Sequence, residues 1–232
     1  MACIPGIDVI LLAYNEENSL EQAVRDVHEA LAPLSLDYSI VIVDDGSTDS
    51  TLTIANRLSA HDPLIRVKGH IRNKGMGAST RTGFSAGTLP YATMLPADRQ
   101  IRADVLPALI ELAGPRTIVT SLYTNRPNDA IRTLVSRSFR LFLHLALGPT
   151  PELEGTYIVP RDLLDTIDLT SDTFTVAFEM FHRAKKRGYA FETAHIESHA
   201  REEGTSKVFN PRRIAQVFKE VVKLRWTLRH IE

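Results

Sequence analysis

Short apolar runs alternate with helical patterns along the first half of the chain, and this alternation most narrows what it can fold into. Ile7–Ala13 (IDVILLA), Tyr38–Val43 (YSIVIV), Leu64–His70, Tyr91–Leu95 and Thr117–Leu122 read as strands. Runs with little polar interruption belong to strands covered on both faces. Helical patterns fill the intervals. Asn18 reads as a cap with Glu21 completing a capping box, and that helix runs to about Ala32, where Pro33 closes it. A second helix extends to about Ala60, a Gly/Ala/Ser-rich one spans Gly75–Gly87, and another covers Asp104–Ala113. This order predicts an α/β fold with a mainly parallel central sheet flanked by helices.

The second half is less regular. Ala130–Leu147 has a long helical pattern, Gly155–Val159 reads as a strand and Tyr189–Ser198 as another. Thr175–Arg187 is a helix with Phe174, Ala177, Phe178 and Phe181 on one face, and Pro211–Arg229 is a final amphipathic helix. With no internal repeat and no linker, a single domain is expected: a body over 1–210 and a basic helix over 211–232 that belongs to it.

Composition excludes several classes. Cys3 is the only cysteine, so no disulfide within the chain can staple it. With 27 Lys+Arg against 28 Asp+Glu, the net charge of −1 gives no basic field for nucleic acid. The balance conceals an asymmetry: residues 201–232 carry eight basic and four acidic residues, or +4, leaving −5 on the rest. No apolar run approaches the roughly 20 residues of a membrane-spanning helix. The amino terminus lacks the basic and apolar pattern of an export signal. A cytoplasmic protein is expected.

In open parallel sheets, ligands bind beyond the carboxyl ends of the strands. The residues following the first four strands are Tyr14-Asn15-Glu16-Glu17, Asp44-Asp45-Gly46-Ser47-Thr48-Asp49, Arg72-Asn73-Lys74-Gly75-Met76-Gly77 and Pro96-Ala97-Asp98-Arg99-Gln100. Each has a plainer reading as a turn, a cap or a solvated loop. Four such clusters at one sheet edge point instead to a nucleotide-sugar site. A tyrosine ring can stack on a base, and a carboxylate can accept from a base N–H or a ribose hydroxyl. Gly75 permits close backbone approach, and Lys74 brings positive charge. Asp98 and Gln100 can hold a hard divalent cation through oxygen, and such a cation would stabilise a diphosphate leaving group. Neither a G-x-G-x-x-G fingerprint after the first strand nor a P-loop is present.

The series L-A-Y-N-E-E-N (12–18), I-V-D-D-G-S-T-D-S-T (42–51), N-K-G-M-G-A-S-T-R-T-G-F (73–84) and P-A-D-R-Q (96–100) resembles the family 2 glycosyltransferases of the GT-A fold. Within that family it is similar to the dolichol- and polyprenyl-phosphate sugar transferases. F-E-M (178–180), R-A-K-K-R-G-Y (183–189) and R-E-E-G-T-S-K (201–207) extend the resemblance to about residue 210. It implies a Rossmann-like GT-A domain that binds a UDP- or GDP-sugar with Mg²⁺ or Mn²⁺. Tyr14, Glu16, Asp44, Asp45, Lys74, Gly75, Ala97 and Asp98 would then face the donor. Arg201 and Lys207 would close over its phosphates, and Asp98 and Gln100 would hold the metal. Arg126, Arg132 and Arg137 fall in the region that receives an acceptor phosphate.

The sequence departs from the family pattern at the first position of the metal motif, where Pro96 replaces aspartate, and around Pro151–Tyr157. The implied reaction is inverting transfer of a sugar to a polyprenyl or dolichyl phosphate, which needs arginines but no base. Two alternatives stand beside it. One is the same donor chemistry on a soluble hydroxyl acceptor, a small metabolite or a glycan, with Glu154, Glu179 or Asp98 as catalytic carboxylate. The other is a catalytically silent nucleotide-sugar-binding protein. The basic terminal helix, with Trp226, suits peripheral contact with the cytoplasmic membrane face, or plain packing on the domain.

Overall fold

The computed structural model describes residues 4–124, 142–144, 146, 148, 151–197 and 219–226. The elements in chain order are β1 (Gly6–Ala13), α1 (Leu20–Leu31), β2 (Asp37–Asp44), α2 (Thr51–His61), β3 (Ile65–Gly69), α3 (Met76–Ala86) and β4 (Tyr91–Pro96). After a 3-10 turn at Ala103–Val105 come α4 (Leu106–Leu112), β5 (Thr117–Tyr123), β6 (Tyr157–Pro160), α5 (Arg161–Leu164), α6 (Thr175–Lys186) and β7 (Ala190–Ile196). The strands pair in the order β3-β2-β1-β4-β6-β5-β7. β1 to β4 are mutually parallel neighbours, and β7 runs parallel to β5.

Alternate strand residues feed two cores. On one face Ile7, Val9 and Leu11 of β1 pack with Ala23, Val27 and Leu31 of α1 and Leu106 and Ile110 of α4. On the other, Ile10, Val41 and Val43 pack with Phe84 of α3 and Val176, Met180 and Phe181 of α6. Coverage of both faces is why these strands read as unbroken apolar runs.

Three local expectations change. The capping box at Asn18 does not form: Ser19 holds the cap position, and no side chain caps the helix. The turn already begins at Glu16, whose carbonyl accepts from Leu20 N–H at 3.0 Å, and the Ser19 hydroxyl donates to the Glu16 carboxylate at 2.8 Å. Glu21 turns outward to Arg25 and Arg57. The strand expected at Gly155–Val159 is β6, displaced to Tyr157–Pro160 and antiparallel to both β4 and β5. The aromatic face expected on α6 is split. Ala177 and Phe181 face the sheet, Phe178 joins a third cluster, and Phe174 is 40% exposed.

That third cluster anchors the tail. Residues 219–226 are helical, and Val221 and Leu224 bury against Leu143, Phe142 and Phe178. Arg225 donates to the Ala146 carbonyl at 2.8 Å. Among the described residues, no helix is long and apolar enough to cross a membrane.

Asp8 is the one charge inside the apolar run of β1, and its side chain is fully buried. Four donors surround it. Oδ1 accepts from the Ser39 hydroxyl at 2.5 Å and Arg66 Nη2 at 3.0 Å; Oδ2 accepts from Leu89 N–H and Arg161 Nη2, each at 2.8 Å. The cluster ties β1, β2 and β3 to the loop before β4 and to α5, at the amino ends of the strands. Any side chain at Gly87 would collide with both Asp8 and Arg161. A buried carboxylate held this way strands its partners when it is removed. Asp8→Ala is expected to cost about 3–5 kcal/mol, read as a lowered urea midpoint; a midpoint within error of the parent would refute this role.

Candidate functional site

The parallel register sets the strand ends side by side. Ala13 lies level with Asp44, Asp44 with Gly69, and Leu12 with Pro96. Tyr14, Asp45, His70 and Ala97 therefore begin four loops in one row, about 14 Å long at ~4.8 Å per strand. The four polar clusters do converge on one rim.

The first two loops are zipped together. Asn15, in the left-handed region at φ 56°, accepts from Thr48 N–H at 2.9 Å. Asn15 N–H donates to the Ser47 hydroxyl at 2.9 Å, and Glu16 N–H to the Thr51 hydroxyl at 2.8 Å. Two more bonds cross the same seam: Ser50 N–H donates to the Glu17 carboxylate at 3.0 Å, and Glu17 N–H to the Asp49 carboxylate at 3.3 Å. Burial alone would raise the Asp49 carboxyl, but bonds from the Thr51 hydroxyl and amide and the Glu17 amide carry it below the ordinary carboxylate range. Tyr14 emerges from this braced pair of loops with 37% of its surface exposed.

Asp45 joins the second loop to the third. Its Oδ1 accepts from Lys74 N–H at 2.9 Å and from His70 Nδ1 at 2.7 Å, and its Oδ2 accepts from Gly75 N–H at 2.9 Å. Gly75 has φ 95°, and Gly46, at φ 74°, lies against the backbone of Arg72 and Asn73. Only glycine tolerates both the dihedral and the approach at Gly46. His70 is buried beside Asp45, and its Nε2 meets the Thr82 hydroxyl at 2.9 Å.

This geometry corrects the donor-facing set. Asp44 is 1% exposed: its Oδ2 accepts from Ser47 N–H at 3.2 Å, while its buried Oδ1 has no partner among the described residues. It serves the turn, because the strand end directs it inward. Asp45 spends three of its four acceptor sites on the loop and His70, so it positions Lys74 and Gly75 more than it faces a ligand. Ala97 is fully buried and its N–H bonds the Leu12 carbonyl, so it offers no ligand surface. Glu16 stays half-buried on the rim, bonded by Ser19. The Lys74 side chain stays exposed there.

In the fourth loop, Asp98 Oδ1 accepts from Gln100 N–H at 3.1 Å, closing a tight turn beyond the end of β4. Arg99 has φ 58° and is pinned by its Nε to Asp26 of α1 at 2.7 Å. A carboxylate and an amide oxygen are hard donors in type. They suit a magnesium-like ion that takes its remaining ligands from phosphate and water. Pro96 supplies no ligand, and no group of three or more His, Cys, Asp or Glu forms a metal cluster among the described residues.

The two candidate bases separate. Glu154 lies at the rim beside the carboxyl end of β5, where its Oε2 accepts from Tyr123 N–H at 3.2 Å. Glu179 is fully buried and cannot act as a base on an acceptor. Its oxygens accept from Thr170 N–H, the Thr170 hydroxyl, Ser171 N–H at 2.9 Å and Arg183 at 3.2 Å. It holds loop 170–173 against α3: Gly77 N–H donates to the Asp172 carbonyl at 2.8 Å, and a side chain on Gly77 would strike that loop. Arg126, Arg132, Arg137, Arg201 and Lys207 lie outside the described residues.

His70 and the Arg99–Asp26 pair belong to the site's frame and escaped sequence reading. A histidine ending a strand and an arginine between two motif residues carry no local signal of their distant partners.

Residues 8–183 match the sequence profile described as Glycosyl transferase family 2. The chain is similar to an undecaprenyl-phosphate 4-deoxy-4-formamido-L-arabinose transferase of Pseudomonas fluorescens, 28% identical over 218 residues, covering 91% of this chain and 62% of that protein. It is also similar to a dolichol-phosphate mannosyltransferase of Pyrococcus furiosus, 26% identical over 191 residues, covering 77% of this chain and 53% of that protein. The chain thus spans less than two thirds of the length of these relatives. Among solved structures, glucosyl-3-phosphoglycerate synthase from Mycobacterium tuberculosis in complex with UDP aligns with a TM-score of 0.68 at 20% identity, covering 96% of this chain and 79% of that one. The same synthase with Mn²⁺, UDP and glucosyl-3-phosphoglycerate gives 0.67 at 22% identity over 97% of this chain and 80% of that one. These likenesses show the GT-A fold.

Removing the Asp45 carboxylate should free loop 72–77. Asp45→Ala is expected to lose about 2–4 kcal/mol, since two partly buried N–H donors and His70 are left without an acceptor. Amide exchange should accelerate at 72–77 while β1 stays protected; unchanged exchange there would contradict the assigned role.

Proposed function

The chain belongs to glycosyl transferase family 2, and from that premise we propose that it transfers a sugar from a nucleoside-diphosphate donor to a polyprenyl-phosphate acceptor with inversion. The observation that carries the reading is the rim itself. An exposed Tyr14 ring, the Lys74 ammonium group and the Asp98–Gln100 pair share one row of strand ends, on loops braced from behind. Relatives named for undecaprenyl- and dolichol-phosphate transfer support the acceptor class.

Tyr14 stacks on the base, Glu16 accepts from the ribose, and Lys74 offsets diphosphate charge. Asp98 and Gln100 would hold Mg²⁺ or Mn²⁺, which neutralises the departing diphosphate. The acceptor phosphate oxygen attacks the anomeric carbon as the bond to the nucleoside diphosphate breaks. An anionic nucleophile needs no proton removed, which agrees with a fully buried Glu179. Arg126, Arg132 and Arg137 are proposed to grip the acceptor phosphate and Arg201 and Lys207 the donor phosphates, as guanidinium and ammonium groups do.

A second reading rests on Glu154, which stands at the rim where a base for a hydroxyl acceptor would be needed. The two readings part on one substitution. Glu154→Gln should leave transfer to a polyprenyl phosphate within about threefold, whereas a loss of about 10²-fold or more would mark a general base and a hydroxyl acceptor.

The terminal helix suits a lipid-borne acceptor. Lys219, Val222, Lys223 and Trp226 recur at i, i+3, i+4 and i+7 and so share one outward face, with Val222 61% and Trp226 63% exposed. An aromatic residue flanked by lysines suits the headgroup region of an anionic membrane. In vesicle sedimentation with anionic lipid, the Trp226→Ala, Lys223→Glu double variant should lose most of its bound fraction; equal binding by parent and variant would count against the contact. Asp98→Ala should lower metal-dependent transfer by about 10²-fold or more, measured with a UDP- and GDP-sugar panel and Mn²⁺; full activity would remove Asp98 from the metal site.

A further inference from the structure

Strand β3, at the sheet edge, and helix α3 border an open concavity of about 460 Å³, and of its lining residues the reaction above uses only Lys74. Its volume lies within the range of small-molecule sites. Lys68 of β3, Lys74 of the following loop and Arg81 of α3 line it, together with His70 and the hydroxyls of Thr82 and Ser85. No carboxylate is among the lining residues. Arg81 is paired with Asp172 at 2.6 Å, on the flank of the loop that abuts α3. Lys68 and Lys74 have no carboxylate partner among the described residues.

With Arg81 balanced by Asp172, Lys68 and Lys74 remain as two cations in one concave wall, and their charge raises the local potential until an anion enters. The neutral donors complete the chemistry: hydroxyls can bond phosphate oxygens between the charged groups. Position separates this cavity from the donor rim. Arg66, Lys68 and His70 alternate along β3 onto the face covered by α3, and Lys68 precedes the strand end, whereas the donor rim begins beyond it. Lys74 borders both.

We propose that this concavity is a second binding site, for a phosphomonoester of about sugar size. It also has a route to the donor loop. His70 lines the cavity and bonds Asp45, and Asp45 holds the amides of Lys74 and Gly75. An anion that recruits the Lys74 side chain acts on the loop that meets the donor, so occupancy of one site biases the other.

The test is isothermal titration calorimetry on the full chain. A hexose 6-phosphate and a short-chain phosphatidic acid serve as probes, each with and without saturating UDP or GDP plus Mn²⁺. One probe site per chain is expected, and it should persist with nucleotide bound. Lys68→Glu and Ser85→Glu, both on exposed positions, should each weaken the phosphomonoester about tenfold or more, with unchanged circular dichroism and unchanged basal sugar transfer. The stronger probe identifies whether the phosphate is soluble or lipid-borne. Stoichiometric displacement by nucleotide, equal binding by the variants, or no binding of either probe would overturn the proposal. None of these three results bears on sugar transfer, which is assayed separately.

Discussion

The rim depends on one buried carboxylate. Asp45 follows β2 directly, so the sheet fixes its position, and from there it binds the two amides that open α3 and the ring of His70. A loop containing Arg72, Asn73, Lys74 and Gly75 has no apolar side chain with which to anchor itself. Its geometry comes from hydrogen bonds to a group held by the strongest element of the fold. Gly46 allows this, because any side chain there would push the loop away.

The same logic recurs around the site. The first loop is sewn to the second through Asn15, Ser47 and Thr48, the fourth is held to α1 by Arg99 and Asp26, and loop 170–173 is held by Glu179. The terminal helix joins through Glu220, whose Oε2 accepts from the Thr173 hydroxyl at 2.6 Å and the Thr175 hydroxyl at 2.8 Å. That contact runs on to Asp172 and so to the start of α3. The helix over 219–226 is thereby linked, through loop 170–173, to the start of α3 behind the rim. Tyr14, Lys74 and Asp98, the groups proposed to meet the donor, sit on loops, while groups buried behind them supply rigidity.

The β-α-β-α order, the position of nearly every strand and the convergence of four polar clusters were all legible in the sequence. Each rests on local periodicity or on a general rule for parallel sheets. What was misread has a common cause. Glu179, Asp44 and Ala97 lie in motifs that suggest ligand contact, yet burial removes all three from the surface. Burial depends on what packs over a residue, and for Glu179 that is a loop eight or nine positions away in sequence. The capping box failed for a similar reason, since Glu16 supplied a nearer partner for Ser19 and Arg57 drew Glu21 away.

The sequence by itself determined the layered architecture, because apolar runs of strand length between amphipathic helices have few other ways to bury their surface. It also determined that four polar clusters follow the carboxyl ends of neighbouring parallel strands. Only the tertiary structure decided the direction of β6, since a four-residue apolar run is equally content parallel or antiparallel until its neighbours β4 and β5 are in place. It alone decided which carboxylates face solvent and which brace loops. It also set three cations around one cavity, from a strand, a loop and a helix, because long-range packing fixes those distances and periodicity does not.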